Sequence, residues 1–188
     1  MSALKLTALS GNLKGPSRTH SLVAAVVAAI AERIPVDRTD IVVGDLAPEL
    51  GGLVDPAHIP PRVQAAIDAI VGADLLVVGS PVYKGSYTGL FKHLIDFIDP
   101  NALIGLPVVL TATGGSLRHA LVIEHQLRPL FGFFLAQTVP TGVFALDSDF
   151  TAYQLTSPDI QSRVHTTAEE AVRIAVPGRA RRATAVAA

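Results

Sequence analysis

Short apolar runs alternate with longer stretches of helical composition along the whole chain. The run DLLVVG at 74–79 is the most informative, because a strand covered on both faces has this continuous apolar pattern. Similar runs predict further strands at 4–9, 41–43, 106–112 and 138–144. Predicted helices lie between them, at 17–33, 61–71, 87–97, 117–136 and 160–176. This alternation predicts βαβ units that build an α/β domain, with a parallel sheet covered by helices on both faces.

Five parallel strands fit the doubly wound order of flavodoxin-like folds, whose ligands bind at the carboxyl ends of the strands. Proline and glycine mark the exceptions to regular structure. The segment 45–61 is rich in both and is predicted to be mostly loop. Pro140 and Gly142 predict an irregular or edge position for the fifth strand, and Pro129 is expected to kink or interrupt the helix that contains it.

Length and composition narrow the class of protein. A chain of 188 residues suits one domain, which we place at residues 1–176, followed by a disordered tail at 177–188. The net charge of −1 argues against a general nucleic-acid binder, and the absence of cysteine excludes disulfides and thiolate chemistry. The longest apolar run, at 22–31, is too short to span a membrane, and the N-terminus has no leader-like pattern, so we expect a cytoplasmic protein.

The first polar segment that follows a strand is SGNLKGPSRTHS, at 10–21. Hydroxyl groups and backbone N–H groups at a helix N-terminus favour an anion. A single phosphomonoester fits best, because the segment lacks the glycine motifs of nucleoside triphosphate and dinucleotide sites. The alternative is a polar turn with an ordinary helix cap, since Ser and Thr are common N-caps.

The second segment, at 79–92, follows the most apolar strand. Its two tyrosines, its glycines and Pro81 predict a rigid, flat surface that suits a planar ring. The alternatives are that Tyr87 and Phe91 form a core pair at i, i+4, and that Lys84 is simply solvated.

The third segment is the turn at 113–116, where adjacent glycines let the backbone approach a ligand closely. The alternative is a strand-to-helix turn with Ser116 as the N-cap. His119 and His125 are six residues apart and do not share a helix face, so no metal site is predicted.

In this order, the segments SGNLKGPSRTHSL, GSPVYKGSYTGLFKHLIDF and TATGGSLRHAL resemble the NAD(P)H-dependent FMN reductases of flavodoxin-like fold. The resemblance covers about residues 4–173. It is closest to the reductases that supply reduced flavin to alkanesulfonate and methanesulfonate monooxygenases. It implies hydride transfer from NADH or NADPH to FMN, with a flavin-dependent monooxygenase as the partner.

The resemblance also implies which residues bind the cofactor. It places the FMN phosphate at the first segment, on Asn12, Ser17, Thr19, His20 and Ser21, and Ser10 is a further predicted cofactor-binding residue. It places the isoalloxazine ring against Pro81, Val82, Tyr83 and Lys84, with the pyrimidine edge near Thr113, Gly114 and Gly115. Lys84 is the one candidate catalytic residue, as a cation that stabilises negative charge on the reduced flavin.

Two histidines stand at positions where some of the relatives carry a different residue. His20 stands where relatives often carry a small hydroxyl residue, and facing the phosphate it would make binding depend on pH. His125 aligns with an inserted tyrosine that forms a π-helix at the tetramer interface of the alkanesulfonate-type reductase. The methanesulfonate-type relatives place histidine there, so His125 favours that branch and is a candidate interface residue.

Apolar residues make up 49% of the chain and charged residues only 16%, which suggests burial between subunits. The segment 130–136 is apolar on all sides and needs a cover, and we predict a homotetramer rather than a dimer. Two other functions stay open: a quinone- or azo-type reductase with tightly held FMN, and a non-enzymatic flavodoxin-like electron carrier. The near-zero net charge and the absence of tryptophan disfavour the carrier.

Overall fold

The computed structural model describes residues 3–186, with side-chain environments through residue 177. The strands are β1 Leu4–Ser10, β2 Val36–Val42, β3 Leu75–Pro81, β4 Pro107–Gly114, β5 Gln137–Thr138, β6 Val143–Leu146, β7 Phe150–Thr151 and β8 Gln154–Leu155. The α-helices are α1 Arg18–Ala31, α2 Val43–Leu50, α3 Pro61–Val71, α4 Gly89–Ile95, α5 Arg128–Phe133 and α6 Pro158–Val186.

The main sheet has the order β2-β1-β3-β4-β5, and β6 also pairs with β4. These pairings are all parallel. The order is that of flavodoxin-like doubly wound sheets, so the predicted fold class is confirmed. β7 and β8 form a separate antiparallel hairpin.

The fifth strand position is interrupted, as Pro140 and Gly142 predict. β5 pairs with the start of β4, at Pro107 and Val108, whereas β6 pairs with its end. Proline has no N–H to donate to a ladder, so the chain leaves the strand between the two segments.

Two hydrophobic layers cover the sheet. Residues from α2, α3, α4 and α5 pack on one face, where Phe91 and Phe131 are fully buried. α1 and α6 pack on the other face, where Leu22, Val26 and Ile30 of α1 are fully buried against the sheet. The sequence prediction of helices on both faces is therefore confirmed.

The prediction for residues 41–61 was wrong in two respects. β2 begins at residue 36, because its polar residues pair with β1 along the whole strand while their side chains face solvent. α2 then forms at once, although Pro48 and the glycines nearby suggested a loop. Val43, Leu46 and Leu50 lie on one face of α2 and are buried, and this burial outweighs the proline.

The single helix predicted at 117–136 is three shorter segments. They are a 3₁₀ turn at Leu117–His119, a π-helical turn at Ile123–Leu127, and α5, in which Pro129 lies in the first turn. The chain stays helical from residue 122 through Pro129 to Phe133, so Pro129 does not interrupt it; the break in the predicted helix lies at residues 120–121, and the irregularity next to Pro129 is the π-helical turn that precedes it. α6 continues past the predicted end at 176 to Val186, while residues 187–188 lie outside the described part; the predicted disorder of the tail stays a prediction.

Gly79 of β3 lies where α1 crosses the sheet, and we expect a side chain there to destabilise the fold. A Cβ atom at this position would lie 2.4 Å from Val23 Cγ2 and 2.7 Å from Thr111 Oγ1, both in the buried core. Gly79→Ala should lower the free energy of unfolding by about 1–3 kcal/mol, the usual range for overpacking. Urea denaturation measures the change.

Gly52→Ala is the matched control, because a Cβ atom there would meet nothing within 4 Å. An equal loss of stability in the two variants would contradict the close packing of α1 on β3.

Candidate active site

The three polar segments meet at the carboxyl edge of the sheet, where hydrogen bonds join them. The N–H of Gly11 donates to the carbonyl of Gly79 (2.7 Å), and that of Val82 donates to the carbonyl of Thr113 (2.8 Å). The hydroxyl groups of Thr19 and Thr113 share a buried hydrogen bond of 2.6 Å. The start of α1 is thereby fixed against the end of β4.

Hydrogen bonds from buried groups fix the loop that follows β1. Ser10 is buried, and its hydroxyl donates to Asn12 Oδ1 at 2.5 Å. The Asn12 amide in turn donates to the carbonyl of Lys14 (3.2 Å). The N–H of Gly44 at the start of α2 donates to the Asn12 carbonyl (3.0 Å), and a Cβ atom on Gly44 would lie only 2.4 Å from the Leu13 carbonyl oxygen. α2 thus packs directly against the backbone of this loop.

Ser17 is the N-cap of α1, and its hydroxyl accepts a hydrogen bond from the His20 N–H (3.3 Å). The capping alternative is therefore confirmed for Ser17, and it leaves the hydroxyl at the positive end of the helix dipole. Ser21 lies one turn further on, where its hydroxyl donates to the Ser17 carbonyl (3.2 Å).

A pocket of about 280 Å³ opens beside this N-terminus. Its lining contains part of the predicted cofactor set: Asn12, Ser17, Thr19, Pro81, Tyr83 and Thr113. Ser10 supports Asn12 from the buried side. The remaining predicted residues lie outside the lining: His20, Ser21, Val82, Lys84, Gly114 and Gly115.

A tight hairpin at residues 83–86 contributes Tyr83 to one wall of the pocket. The N–H of Tyr83 donates to the Ser86 carbonyl (2.8 Å), and the N–H of Ser86 donates back (3.2 Å). Lys84 and Gly85 both have positive φ, at 54° and 88°. The Tyr83 ring is 53% exposed, and its rigid turn presents it to the pocket.

Tyr87 belongs to the core side of this segment. Its ring centroid lies 5.7 Å from that of Phe91, so the core-pair alternative is confirmed for these two residues. Ser86 links the hairpin to the π-helical turn, since its hydroxyl donates to Gln126 Oε1 at 3.0 Å.

The pocket lining holds six residues that were not predicted to bind the cofactor: Leu13, Lys14, Pro16, Arg18, Asp147 and Tyr153. An Arg18 guanidinium nitrogen lies 3.6 Å from Asp147 Oδ1, and the guanidinium lies 5.2 Å from the centre of the Tyr153 ring. Arg18 directly follows the N-cap serine of a predicted anion-binding loop, so its place in the sequence could have identified it as a pocket residue. Asp147 and Tyr153 come from the chain after β6 and carry no local motif.

The turn after β4 is tightly packed on one side only. A Cβ atom on Gly114 would lie 3.1 Å from the Phe144 ring. A Cβ atom on Gly115 would meet only Asp147 Oδ2, at 3.8 Å. Ser116 caps the 3₁₀ turn, and its hydroxyl accepts from the Arg118 N–H (3.4 Å). Asp147 therefore lies between the first and third segments.

The π-helical turn contains the exposed His125 and is held by a neighbouring ion pair. Arg128 donates to both carboxylate oxygens of Glu124, at 2.6 and 2.9 Å. It also donates to the carbonyls of Val139 (3.0 Å) and Pro140 (3.1 Å), between β5 and β6. The hydrogen bond from Arg128 lowers the pKa of the Glu124 carboxyl, and the same contact raises the pKa of Arg128.

Large apolar side chains are exposed along the same segment of chain. Leu117, Leu121, Phe133 and Leu135 are each more than half exposed, and we call them the apolar patch. In the described part of the chain, no cluster of acidic and histidine side chains could hold a metal ion, and no helix is long and apolar enough to cross a membrane.

Comparison with protein families gives a match over most of the chain. The model of the NADPH-dependent FMN reductase family matches residues 4–151.

Individual proteins are similar over nearly their full length. An NADH-dependent FMN reductase, SfnF, from Pseudomonas fluorescens strain Pf0-1 is 51% identical over 168 residues, which cover 89% of this chain and 90% of the relative. An FMN reductase (NADPH) from Pseudomonas aeruginosa strain PAO1 is 49% identical over 170 residues, which cover 90% and 91%. The X-ray structure of an oxidoreductase from Corynebacterium diphtheriae superposes with a TM-score of 0.82 at 35% identity and covers 94% of this chain and 99% of that one.

The Glu124–Arg128 pair should make the free energy of unfolding depend on pH. Because the folded pKa of Glu124 lies below the ordinary 4.5, the pair contributes fully above that pH and its contribution is lost as the pH falls through the folded pKa. The wild-type protein should lose roughly 0.3–1 kcal/mol more than Glu124→Gln between about pH 5 and pH 3, the range for exposed pairs. Urea unfolding at several pH values tests this, and parallel curves would contradict it.

Proposed function

The chain belongs to the NADPH-dependent FMN reductase family, and we propose that it binds FMN as a substrate, reduces it with NAD(P)H and releases it to a partner monooxygenase. It is an oxidoreductase of nicotinamide and flavin. Relatives of nearly equal similarity are named for NADH and for NADPH, so the proposal includes both donors.

The observation that supports the proposal is the pocket at the N-terminus of α1. Its donors suit a phosphate: the Ser17 hydroxyl, the first backbone N–H groups of the helix, and Arg18. The Nε atom of Arg18 is buried and has no hydrogen-bond partner among the described residues. An unpartnered buried donor is costly to the fold, whereas the exposed part of the Arg18 guanidinium, in the pocket lining, can reach an acceptor. These residues therefore fit the phosphate end of FMN.

The hairpin wall suits the other end of the same molecule. Tyr83 and Pro81 line the pocket as a rigid apolar surface next to Thr113. We assign Pro81, Val82, Tyr83 and Lys84 to the side of the flavin ring, and the turn at 113–115 to its polar edge. The hydrogen bond between Ser10 and Asn12 fixes the loop on its buried side. His20 and Ser21 are assigned to the outer part of the phosphate site.

Hydride transfer between nicotinamide and flavin is the chemistry that FMN supplies when bound. The protein's part is to hold two rings face to face, which needs no acid–base pair. Lys84 is proposed to stabilise negative charge near the ring. Its backbone conformation, with φ of 54° in a turn closed by two hydrogen bonds, fixes where its side chain begins.

The proposed partner is a flavin-dependent monooxygenase of the sulfonate type, and the proposed location is the cytoplasm. The partner follows from the resemblance to reductases that supply such enzymes, whereas the location is the expectation already stated from the sequence pattern. A rim formed by exposed side chains such as Tyr83 and Asp147 supports exchange of the flavin with solvent.

NAD(P)H oxidation by the apoprotein, titrated with free FMN, tests the proposal. We expect saturable turnover of FMN in large stoichiometric excess over enzyme, with both nicotinamides compared. Turnover that appears only after a quinone or an azo dye is added, with FMN bound and not exchanging, would instead identify a terminal-acceptor reductase. An absence of oxidation under all these conditions would overturn the reductase activity.

The same assay tests Lys84. Lys84→Ala should lower the turnover number with FMN severalfold, because a positive charge near the ring is lost. Unchanged turnover would remove Lys84 from the mechanism and leave the remainder of the proposal in place.

We further propose that the apolar patch is buried between copies of the chain in a homotetramer, with His125 at the interface. Leu121, 59% exposed, belongs to this patch and lies next to the π-helical turn. Leu121→Arg should shift the mass measured by light scattering toward smaller species, because a buried charge is costly.

Val54→Arg is the matched control, because Val54 is 86% exposed and lies in a different loop. A monomeric wild-type protein, or equal effects of the two variants, would contradict the proposed interface.

A further inference from the structure

A negative side chain stands at a site whose other features favour an anion. Asp147 lines the pocket together with Ser17 and Arg18. The N-terminus of α1 and the guanidinium both attract negative charge, whereas the carboxylate of Asp147 repels it. This opposition needs an explanation beyond simple phosphate binding.

Arg18 connects the two opposing features. It is the first residue of α1, and its guanidinium lies 3.6 Å from Asp147 and 5.2 Å from the Tyr153 ring. The ion pair is long for a charge-assisted hydrogen bond and leaves the Nε atom without a partner among the described residues. Asp147 therefore lies beside Arg18 but does not supply a hydrogen-bond acceptor to every donor of its guanidinium.

Among the residues that the structure describes, the Asp147 carboxylate contacts Arg18 and accepts no hydrogen bond that holds the local turn. Asp149, two residues later, accepts the N–H of Leu146 (2.7 Å) and so holds the local turn. The Asp147 carboxylate instead points toward the pocket rim, where Oδ2 lies 3.8 Å from a Cβ position on Gly115. Its side chain is 59% exposed. An isosteric change from Asp to Asn is thus expected to leave the fold intact.

We propose that Asp147 sets the affinity for FMN by opposing its phosphate, through competition for Arg18 and through direct repulsion, so that the flavin is held loosely enough to leave. This inference rests on the proposed function and deepens it. It assigns an affinity-setting role to a residue that lies far along the chain from the phosphate loop. A tightly held cofactor would gain nothing from such a charge, whereas a substrate that must dissociate would.

The test compares the dissociation constants of FMN and riboflavin, measured by quenching of flavin fluorescence, for the wild-type protein and Asp147→Asn. Riboflavin has the same ring but no phosphate. We expect FMN to bind roughly three- to tenfold more tightly to Asp147→Asn, the scale for a partly exposed charge. Riboflavin should bind equally to both proteins. The gain for FMN should shrink as salt is raised, since exposed charges are screened.

Asp37→Asn is the matched control, because it removes the same charge from another part of the sheet. Asp37 lies in β2 and pairs with Lys5 near the amino ends of the strands, whereas the pocket lies at their carboxyl ends. It should leave both dissociation constants unchanged. Weaker FMN binding by Asp147→Asn would show that Asp147 positions Arg18 for the phosphate, and would overturn the inference. Equal tightening for FMN and riboflavin would also overturn it, because the effect would then act on the ring.

The proposed function and the role of Asp147 can be overturned separately. If the wild-type protein binds neither FMN nor riboflavin, the proposed function fails and the inference fails with it. If it binds FMN and turns it over, but Asp147→Asn leaves FMN affinity unchanged, only the role of Asp147 is overturned.

Discussion

The parallel register of β1, β3 and β4 is the constraint on which the site depends. Ser10 lies beside Gly79, and Gly79 lies beside Thr111, so the carboxyl ends of the three strands lie within three residues of one another. α1 then packs closely over Gly79, and this contact brings Thr19 to the buried hydroxyl of Thr113. The pocket is thus a consequence of strand alignment and of one residue without a side chain, before any ligand is considered.

The sequence predicted those parts of the fold in which burial and local pattern agree. β3 begins with a continuous apolar run and α3 has apolar residues on one face, and both were predicted within two residues of their ends. β2 was underestimated because an edge strand with exposed side chains needs no apolar run, only a neighbour with which to pair. The resemblance pointed to a π-helix at His125, and the structure has one at Ile123–Leu127. The local pattern alone did not predict it, because no local propensity distinguishes it from an α-helix.

The same distinction holds for the site. The loop at 10–17 and the hairpin at 83–86 are local structures whose serines, glycines and tyrosine can be read directly from the chain. Arg18 was within reach of such reasoning, since it adjoins the cap. Asp147 and Tyr153 reach the pocket only because β6 pairs with the end of β4 and directs the following chain back toward α1. Long-range pairing of this kind has no local signature.

The two edges of the sheet are both unsuited to adding another strand. On one side, the outer edge of β2 is bordered by the exposed charges of Asp37, Arg38 and Asp40, which resist pairing with a second chain. On the other side, the ladder stops at Pro140, where Arg128 takes up the carbonyl groups that a new strand would need. Pairing with a second copy is therefore disfavoured along β2 and at the break between β5 and β6.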